Sequence, residues 1–188
     1  MCTQQQKEVI ITAELENKTI AIVATDDFED SELTSPLEAV QKAGATVKVL
    51  APKAGTITGK NGTEITVDAT TKDSEGETFD GIILPGGTNN ADLIRLDEAA
   101  VNIVRKHMAE DRPLGVICHG GWILADAEAL KGRTLTSFPS LQTDLRNAGA
   151  TWVDEEVHCD QGLVSSRTPD DLPAFNAKLV EEFTEGQH

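Results

Sequence analysis

Short apolar runs alternate with helical stretches along most of the chain. The runs at residues 18–25 (KTIAIVAT), 46–52 (TVKVLAP), 80–87 (DGIILPGG) and 113–118 (PLGVIC) are rich in β-branched residues, which is typical of strands buried on both faces. Amphipathic segments with helix-forming residues lie between them. This alternation predicts a single-domain α/β fold, with a doubly wound, mostly parallel sheet flanked by helices.

Local signals refine this outline. Residues 55–68 contain two alternating runs around Asn61-Gly62, which predict a β-hairpin. Pro36 is expected to break or restart the helix that follows the first strand. Residues 151–167 are predicted to form a strand pair that turns at residues 160–162, and residues 168–185 are predicted to be mainly a final helix.

Length and charge limit the function. A chain of 188 residues fits one domain, and 16 Lys and Arg against 32 Asp and Glu give a net charge of −16. This charge would repel phosphate backbones and anionic lipids, so nucleic acid and membrane surfaces are disfavoured as partners. The domain is predicted to span residues 18–188. Residues 1–17 are predicted to be an N-terminal extension whose apolar run, Val9–Ala13, is too short for a signal peptide.

The cysteines indicate a reducing environment. Cys2, Cys118 and Cys159 form an odd set without a CxxC pair, which argues against a disulfide framework and against a zinc knuckle. We therefore predict a cytoplasmic protein with no metal and no bound cofactor.

Cys118 is the main candidate for chemistry. It ends a predicted strand in LGVICHGGWIL (residues 114–124), and ligands of parallel sheets bind outside the carboxyl ends of the strands. Gly120 and Gly121 would allow a sharp turn into a helix, whose N-terminus lowers the pKa of a thiol. A protonated His119 would act in the same direction. The alternative is an inert core thiol, because free cysteine is often buried.

Two further groups could serve this thiol. The backbone amides of Gly87 and His119 could form an oxyanion hole, although Pro85-Gly86-Gly87 could equally be an ordinary turn. Glu29 follows the first strand, and burial beside a thiolate would keep its carboxyl protonated as a hydrogen-bond donor. Alternatively, Glu29 is a solvated acid in the first turn of a helix.

Three motifs in order carry a family resemblance. With DFED (residues 27–30), ILPGG (83–87) and ICHG (117–120), the chain resembles the PfpI/ThiJ family of intracellular cysteine proteases and deglycases over residues 18–185. That family is related to the parkinsonism-associated deglycase and to class I glutamine amidotransferases. The resemblance implies a flavodoxin-like fold, with Cys118 as nucleophile, His119 as its catalytic partner and Glu29 bonded to the thiol.

The resemblance also implies an oligomer. In oligomeric proteases of the family, an acid in the helix after the GG loop completes the site of a neighbouring subunit, and this position falls on or near Asp92. A homo-oligomer, dimer or hexamer, is therefore expected. CHGGW departs from the common CHGP form at Gly121, which puts the substrate preference in question. His158-Cys159-Asp160 is the only candidate for the second motif of glutaminases, and its position in a predicted edge strand disfavours glutamine hydrolysis.

Three functions remain open at this point. The leading one is a cysteine-dependent hydrolase or lyase acting on small carbonyl adducts, glycated thiols or amines, or peptides, with deglycase, glyoxalase and peptidase activity all found in the family. The second is a stress protein in which Cys118 senses oxidants through sulfenate or sulfinate. The third is a relative that keeps the fold without activity.

Overall fold

The computed structural model describes residues 13–188 of the protein, and a central mixed sheet organises them. In chain order the strands are β1 (Thr19–Val23), β2 (Thr46–Ala51), β3 (Thr56–Thr58), β4 (Glu64–Thr66), β5 (Ala69–Thr70), β6 (Gly81–Leu84), β7 (Leu114–Ile117), β8 (Thr134–Leu135), β9 (Thr151–Trp152), β10 (His158–Asp160) and β11 (Leu163–Ser166). The central sheet has the order β10-β11-β7-β6-β1-β2-β5. All its neighbouring strands are parallel except β10 and β11.

Helices cover both faces of this sheet. They are α1 (Asp30–Lys42), α2 (Thr71–Ser74), α3 (Thr88–Ile94), α4 (Glu98–Ala109), α5 (Trp122–Asp126), α6 (Gln142–Asn147) and α7 (Leu172–Glu185), with 3₁₀ turns at Cys118–Gly121, Pro139–Leu141 and Pro169–Asp171. In β6, Ile82 and Leu84 belong to one apolar cluster and Ile83 to the other. Both faces of the strand are therefore buried, and the predicted doubly wound fold is confirmed.

Two helices differ from the sequence-based prediction. The prediction that Pro36 breaks the first helix is wrong, because α1 continues through it. Leu33, Pro36 and Val40 are buried along one side of α1, and this burial outweighs the one backbone hydrogen bond that proline removes. The sequence predicts a helix over residues 120–130, but α5 already ends at Asp126, and Glu128 adopts a positive φ of 56°.

Part of the predicted N-terminal extension packs on the domain. The Leu15 side chain is fully buried, and its N–H donates to the Ala43 carbonyl at 2.8 Å. Residues 1–12 lie outside the described part of the chain. None of the helices within residues 13–188 combines the length and the apolar content needed to cross a membrane.

The predicted hairpin is confirmed and is attached to the start of α1. Strands β3 and β4 pair antiparallel. The Asp30 carboxylate accepts the backbone N–H of Asn61 at 2.9 Å and that of Thr63 at 3.0 Å. Desolvation acts to raise the pKa of Asp30, but the hydrogen bonds from Thr63 and Asn61 outweigh it and lower the pKa to about 2. One carboxylate thus holds the tip of the hairpin beside α1.

Asp30→Ala should release this tip. Because each amide loses a charge-assisted hydrogen bond worth about 1.5 kcal/mol, the hydrogen-exchange protection factors of Asn61 and Thr63 should fall about tenfold. Asp73→Ala, at an exposed aspartate, is the matched control and should leave both factors unchanged.

Lowering the pH should also reduce the hydrogen-exchange protection of Asn61 and Thr63. A carboxylate with a depressed folded pKa stabilises the fold above its ordinary pKa of 3.8, and the stabilisation is lost as the pH falls toward about 2. Protection at Asn61 and Thr63 that survives both Asp30→Ala and pH 2 would show that Asp30 does not hold the hairpin.

Candidate active site

Cys118 lies at a sharp turn between a strand and a helix. It directly follows β7, has a φ of +60°, and begins the 3₁₀ turn that leads into α5. A positive φ is rare for a residue with a Cβ and marks a strained backbone held by its surroundings. The Cys118 side chain is 8% exposed. The predicted elbow is thus present, and the thiol lies just below the surface.

Two backbone amides point at the thiol. The N–H groups of His119 and Gly87 lie close enough to the Cys118 sulfur to act against the rise in its pKa. Gly87 has a φ of +88°, and a Cβ there would lie 2.5 Å from the Asp27 carbonyl oxygen, so only glycine fits. These are the two amides that the sequence predicts as an oxyanion hole, and that role stays a prediction.

Glu32, rather than Glu29, is the carboxyl beside the thiol. A Cβ added to Gly86 would lie 2.7 Å from the Cβ of Cys118 and 2.8 Å from Oε1 of Glu32, so all three groups meet closely. The carboxyl of Glu32 lies beside Cys118, and Glu32 is fully buried. Glu29 instead pairs with Lys60 of the hairpin. The sequence-based assignment of Glu29 as the residue bonded to the thiol is corrected accordingly.

Helical geometry explains why Glu32, and not Glu29, lies beside the thiol. Glu29 is the N-cap residue of α1, so its side chain leaves the helix toward the hairpin. Glu32 is one turn further on, and with Pro36 and Val40 it forms a buried row at four-residue spacing. An acid within an apolar helical stripe was the signal in the sequence that could have identified Glu32.

Burial raises the pKa of both the thiol and the carboxyl. Burial, then the charge of Glu29, raises the pKa of Glu32 to about 8, although the contact with Cys118 acts in the opposite direction. Burial, then the charge of Glu32, raises the pKa of Cys118 to about 12, although the amides of His119 and Gly87 lower it. Two acids in one buried site do not ionise together, so their titrations are coupled. The expectation of a lowered thiol pKa is wrong for this reason.

Glu32 has few other partners. Neither of its carboxyl oxygens has a hydrogen-bond partner of ordinary geometry among the described residues. A buried carboxylate without donors is unfavourable, which favours the protonated form at neutral pH. In that form its O–H can donate to the Cys118 sulfur.

His119 lies against the sulfur. Its Nδ1 is 3.2 Å from the Cys118 Sγ, and its Nε2 is 3.5 Å from the Thr88 hydroxyl and 3.4 Å from the Ser140 hydroxyl. The ring stacks on Phe138 with centroids 4.7 Å apart. If Nε2–H donates to one of these hydroxyls, Nδ1 is left as an acceptor for the thiol proton.

Burial, then the positive charge of Lys60, lowers the pKa of His119. Its ordinary value of 6.5 is already below neutrality, so the imidazole is uncharged at pH 7. His119 therefore does not stabilise a thiolate as a resident cation. It can accept a proton from the thiol instead.

Asp92 is not brought to this site within one chain. It is exposed on α3, and among the described residues its side chain makes no hydrogen bond or ion pair with Cys118 or His119. Leu93 and Leu96 close by are 44% and 78% exposed. A role for Asp92 in a neighbouring subunit stays a prediction.

A cavity of about 330 Å³ opens onto the thiol, which is within the size range of small-molecule sites. Its lining residues come from six segments of the chain and are Glu29, Glu32, Lys60, Gly87, Thr88, Cys118, His119, Phe138, Thr168 and Pro169. Glu32, Lys60, Thr88, Phe138 and the Thr168-Pro169 pair were not predicted as site residues. Apart from the acid in the apolar stripe of α1, nothing local in the sequence shows that these segments meet.

Other chemical groups lie outside this cavity. His158 is on the edge strand β10 and pairs with Glu155 at 2.7 Å. Burial, then the charge of Glu182, raises the pKa of Cys159 to about 11. Within the described chain, Glu182, Glu185 and His188 form a possible metal-ligand group. Glu182 already pairs with Lys178 and His188, so we assign no metal to it.

The fold and this geometry define a flavodoxin-like α/β protein with a cysteine at a strand-to-helix elbow. The profile of the DJ-1/PfpI family matches residues 18–182. The chain belongs to the DJ-1/PfpI family, which confirms the resemblance stated from its motifs.

Named relatives place the chain within the family. General stress protein 18 of Bacillus subtilis is 45% identical over 166 residues, covering 87% of this chain and 96% of the relative. Protein/nucleic acid deglycase 2 of Escherichia coli is 42% identical over 167 residues, covering 87% and 96%. The crystal structure of Drosophila melanogaster DJ-1beta superposes with a TM-score of 0.83 at 24% identity, covering 89% of this chain and 90% of that one, and it supports the fold.

The raised pKa of Glu32 leads to a test of stability against pH. In a Cys118→Ser background, the free energy of unfolding should fall as the pH rises from 4.5 to 8, because the native carboxyl keeps a proton that the unfolded chain releases. The expected fall is about 1 to 4 kcal/mol. Adding Glu32→Gln should remove it, as measured by urea unfolding at pH 5, 7 and 9.

Glu38→Gln, at an exposed position of the same helix, is the matched control and should keep the pH dependence. An equal pH dependence with and without Glu32→Gln would contradict a raised pKa for Glu32.

Proposed function

We propose that the protein is a Cys118-dependent hydrolase or lyase that acts on carbonyl adducts. One observation carries the proposal: at a strained elbow, the Cys118 sulfur lies 3.2 Å from Nδ1 of His119 and close to the backbone amides of Gly87 and His119. This is the arrangement of an activated nucleophile with its base. An inert core thiol does not need the elbow, the amides and the imidazole together.

The proposed reaction uses these groups in sequence. Neutral His119 accepts the thiol proton as the Cys118 sulfur attacks a carbonyl or hemithioacetal carbon. The amides of Gly87 and His119 stabilise the oxygen that becomes negative. Protonated Glu32 donates to the sulfur, so that the site carries one negative charge rather than two. The bond between the attacked carbon and the thiol or amine of the adduct then breaks, and this leaving group takes the proton from His119. Water attacks the carbon that is now bonded to the Cys118 sulfur, the C–S bond breaks, and Cys118 is released as a thiol with a proton from that water.

Small adducts are the proposed substrates. A cavity of about 330 Å³ fits an adduct of an α-oxoaldehyde with a thiol or amine. The printed name of the E. coli relative, a protein/nucleic acid deglycase, supports adduct removal. The net charge of −16 favours small or protein-borne adducts over nucleic acid. Peptides remain a second substrate class, from the protease members of the family.

Assembly and location remain proposals as well. A homo-oligomer would bring Asp92 toward the site of a neighbouring subunit, as the family resemblance implies. The exposed Leu93 and Leu96 beside it would then be covered. A cytoplasmic location is proposed from the odd number of cysteines and the lack of a CxxC pair in the sequence.

Cys118→Ser tests the activity. Because the hydroxyl of serine is a far weaker nucleophile here, methylglyoxal consumption and the release of glycated thiol should fall by about 1,000-fold or more. Cys159→Ser is the matched control and should keep the wild-type rate, since Cys159 lies outside the cavity. Undiminished turnover by Cys118→Ser would end the proposal, and a wild-type protein without turnover would indicate a relative that keeps only the fold.

A second function is redox sensing. It is favoured by the buried contact between a carboxyl that can donate and the Cys118 sulfur, and by the name of the B. subtilis stress protein relative. The raised thiol pKa acts against it, since thiolates are the species that peroxide oxidises.

Peptide mapping after dilute peroxide tests sensing. A sensor should gain one or two oxygen atoms on Cys118 before Cys159 reacts, and Glu32→Gln should reduce that preference because the donor to the oxidised sulfur is weakened. Oxidation of Cys159 while Cys118 stays reduced would exclude sensing at Cys118.

A further inference from the structure

Lys60 is the cation of the candidate site. Among the described residues that line the cavity, it is the only lysine or arginine. Its ammonium pairs with Glu29 in the same cavity. The Lys60 side chain is 51% exposed, whereas that of Glu29 is 17% exposed. The lysine therefore has open space beside the partner that it already holds.

The backbone around Lys60 is fixed in place. Its N–H donates to the Phe28 carbonyl at 3.0 Å, and Asp30 accepts the amides of Asn61 and Thr63 just after it. A Cβ on Gly59 would lie 2.6 Å from the Asp30 carboxylate, so the hairpin packs tightly against α1. Only the flexible stem of Lys60 is left to move within the cavity.

The ion pair with Glu29 is easily exchanged. A pair with one partner this exposed contributes about 0 to 1 kcal/mol, so an anionic ligand can replace Glu29 at small cost. Elsewhere the chain carries a large negative charge, which repels anions. Within the cavity, a ligand carboxylate would therefore be attracted to Lys60.

We propose that Lys60 binds the carboxylate of the substrate, and that Glu29 pairs with Lys60 when no substrate is bound. Resting on the proposed function, this narrows the substrates to adducts whose reactive carbon is next to a carboxylate, such as those of 2-oxo acids. The nucleophile Cys118 and the cation Lys60 line the same small cavity, so one small ligand can contact both. Lys60 is then a specificity-determining residue.

Alkylation of Cys118 tests this without turnover. Iodoacetate and iodoacetamide have nearly the same size and differ in charge, and their rate ratio at one pH cancels any change in thiol pKa. Lys60→Gln should lower the iodoacetate-to-iodoacetamide ratio at Cys118 by about fivefold, the equivalent of the upper range for an exposed ion pair. Lys60→Arg should restore the ratio, and Glu29→Gln should raise it above wild type.

Lys72→Gln, at an exposed lysine on α2, controls for net charge and should leave the ratio unchanged. The ratio at Cys159, measured in the same digests, should not respond to any of these variants. An unchanged ratio in Lys60→Gln, or an equal loss in Lys72→Gln, would overturn the proposal.

Turnover separates this proposal from the proposed function. With 2-mercaptoethanol as a neutral thiol, Lys60→Gln should raise KM for the glyoxylate adduct more than for the methylglyoxal adduct, with a smaller change in kcat. An equal change in KM for both adducts would contradict selection by Lys60. Failure of wild type to turn over either adduct would remove the proposed function, while the alkylation ratio would still decide whether Lys60 attracts anions.

Discussion

The Cys118 thiol and the Glu32 carboxyl share one buried site, and the rest of the candidate active site is arranged around that contact. Each group is an acid, and burial opposes the ionisation of both. The pair can carry a single negative charge at modest cost but not two. The chemistry proposed for the thiol therefore depends on where the remaining proton lies.

The fold brings these two acids together from separate segments. The end of β7 presents the sulfur at a strained elbow, and the first turn of α1 presents the carboxyl. Gly86, at the end of the neighbouring strand β6, has no side chain and leaves room for both. The carboxyl ends of parallel strands meet at one edge of the sheet, which is why motifs far apart in the chain converge.

Much of the fold and the centre of the site could be predicted from the sequence. Buried β-branched runs indicated the parallel strands, and Asn61-Gly62 indicated the hairpin, because these signals are local. Cys118, Gly87 and His119 were predicted together because each ends a strand or begins the turn after it. Pro36 was misjudged because tertiary burial outweighs the local preference of proline.

The errors at the site have a common cause. Glu29 and Glu32 are one helical turn apart, and the choice between them depends on which side of α1 is buried and on the cation that the hairpin supplies. The thiol pKa was expected to fall because the helix start and His119 are visible in the sequence. Desolvation and the second acid, which raise it, are properties of packing. Lys60 could not be predicted as a site residue for the same reason, because the sequence of a hairpin does not show which part of the fold the hairpin contacts.

The protonation state of Glu32 tests most directly whether its carboxyl is the buried, protonated partner of the Cys118 thiol. In protein labelled with ¹³C at the glutamate carboxyl carbons, NMR follows the Glu32 signal against pH, assigned by its loss in Glu32→Gln. We predict a Glu32 carboxyl that is still protonated at pH 7 and titrates well above the ordinary value of 4.5. A Glu32 signal that titrates near pH 4.5 and is ionised at pH 7 would contradict this prediction.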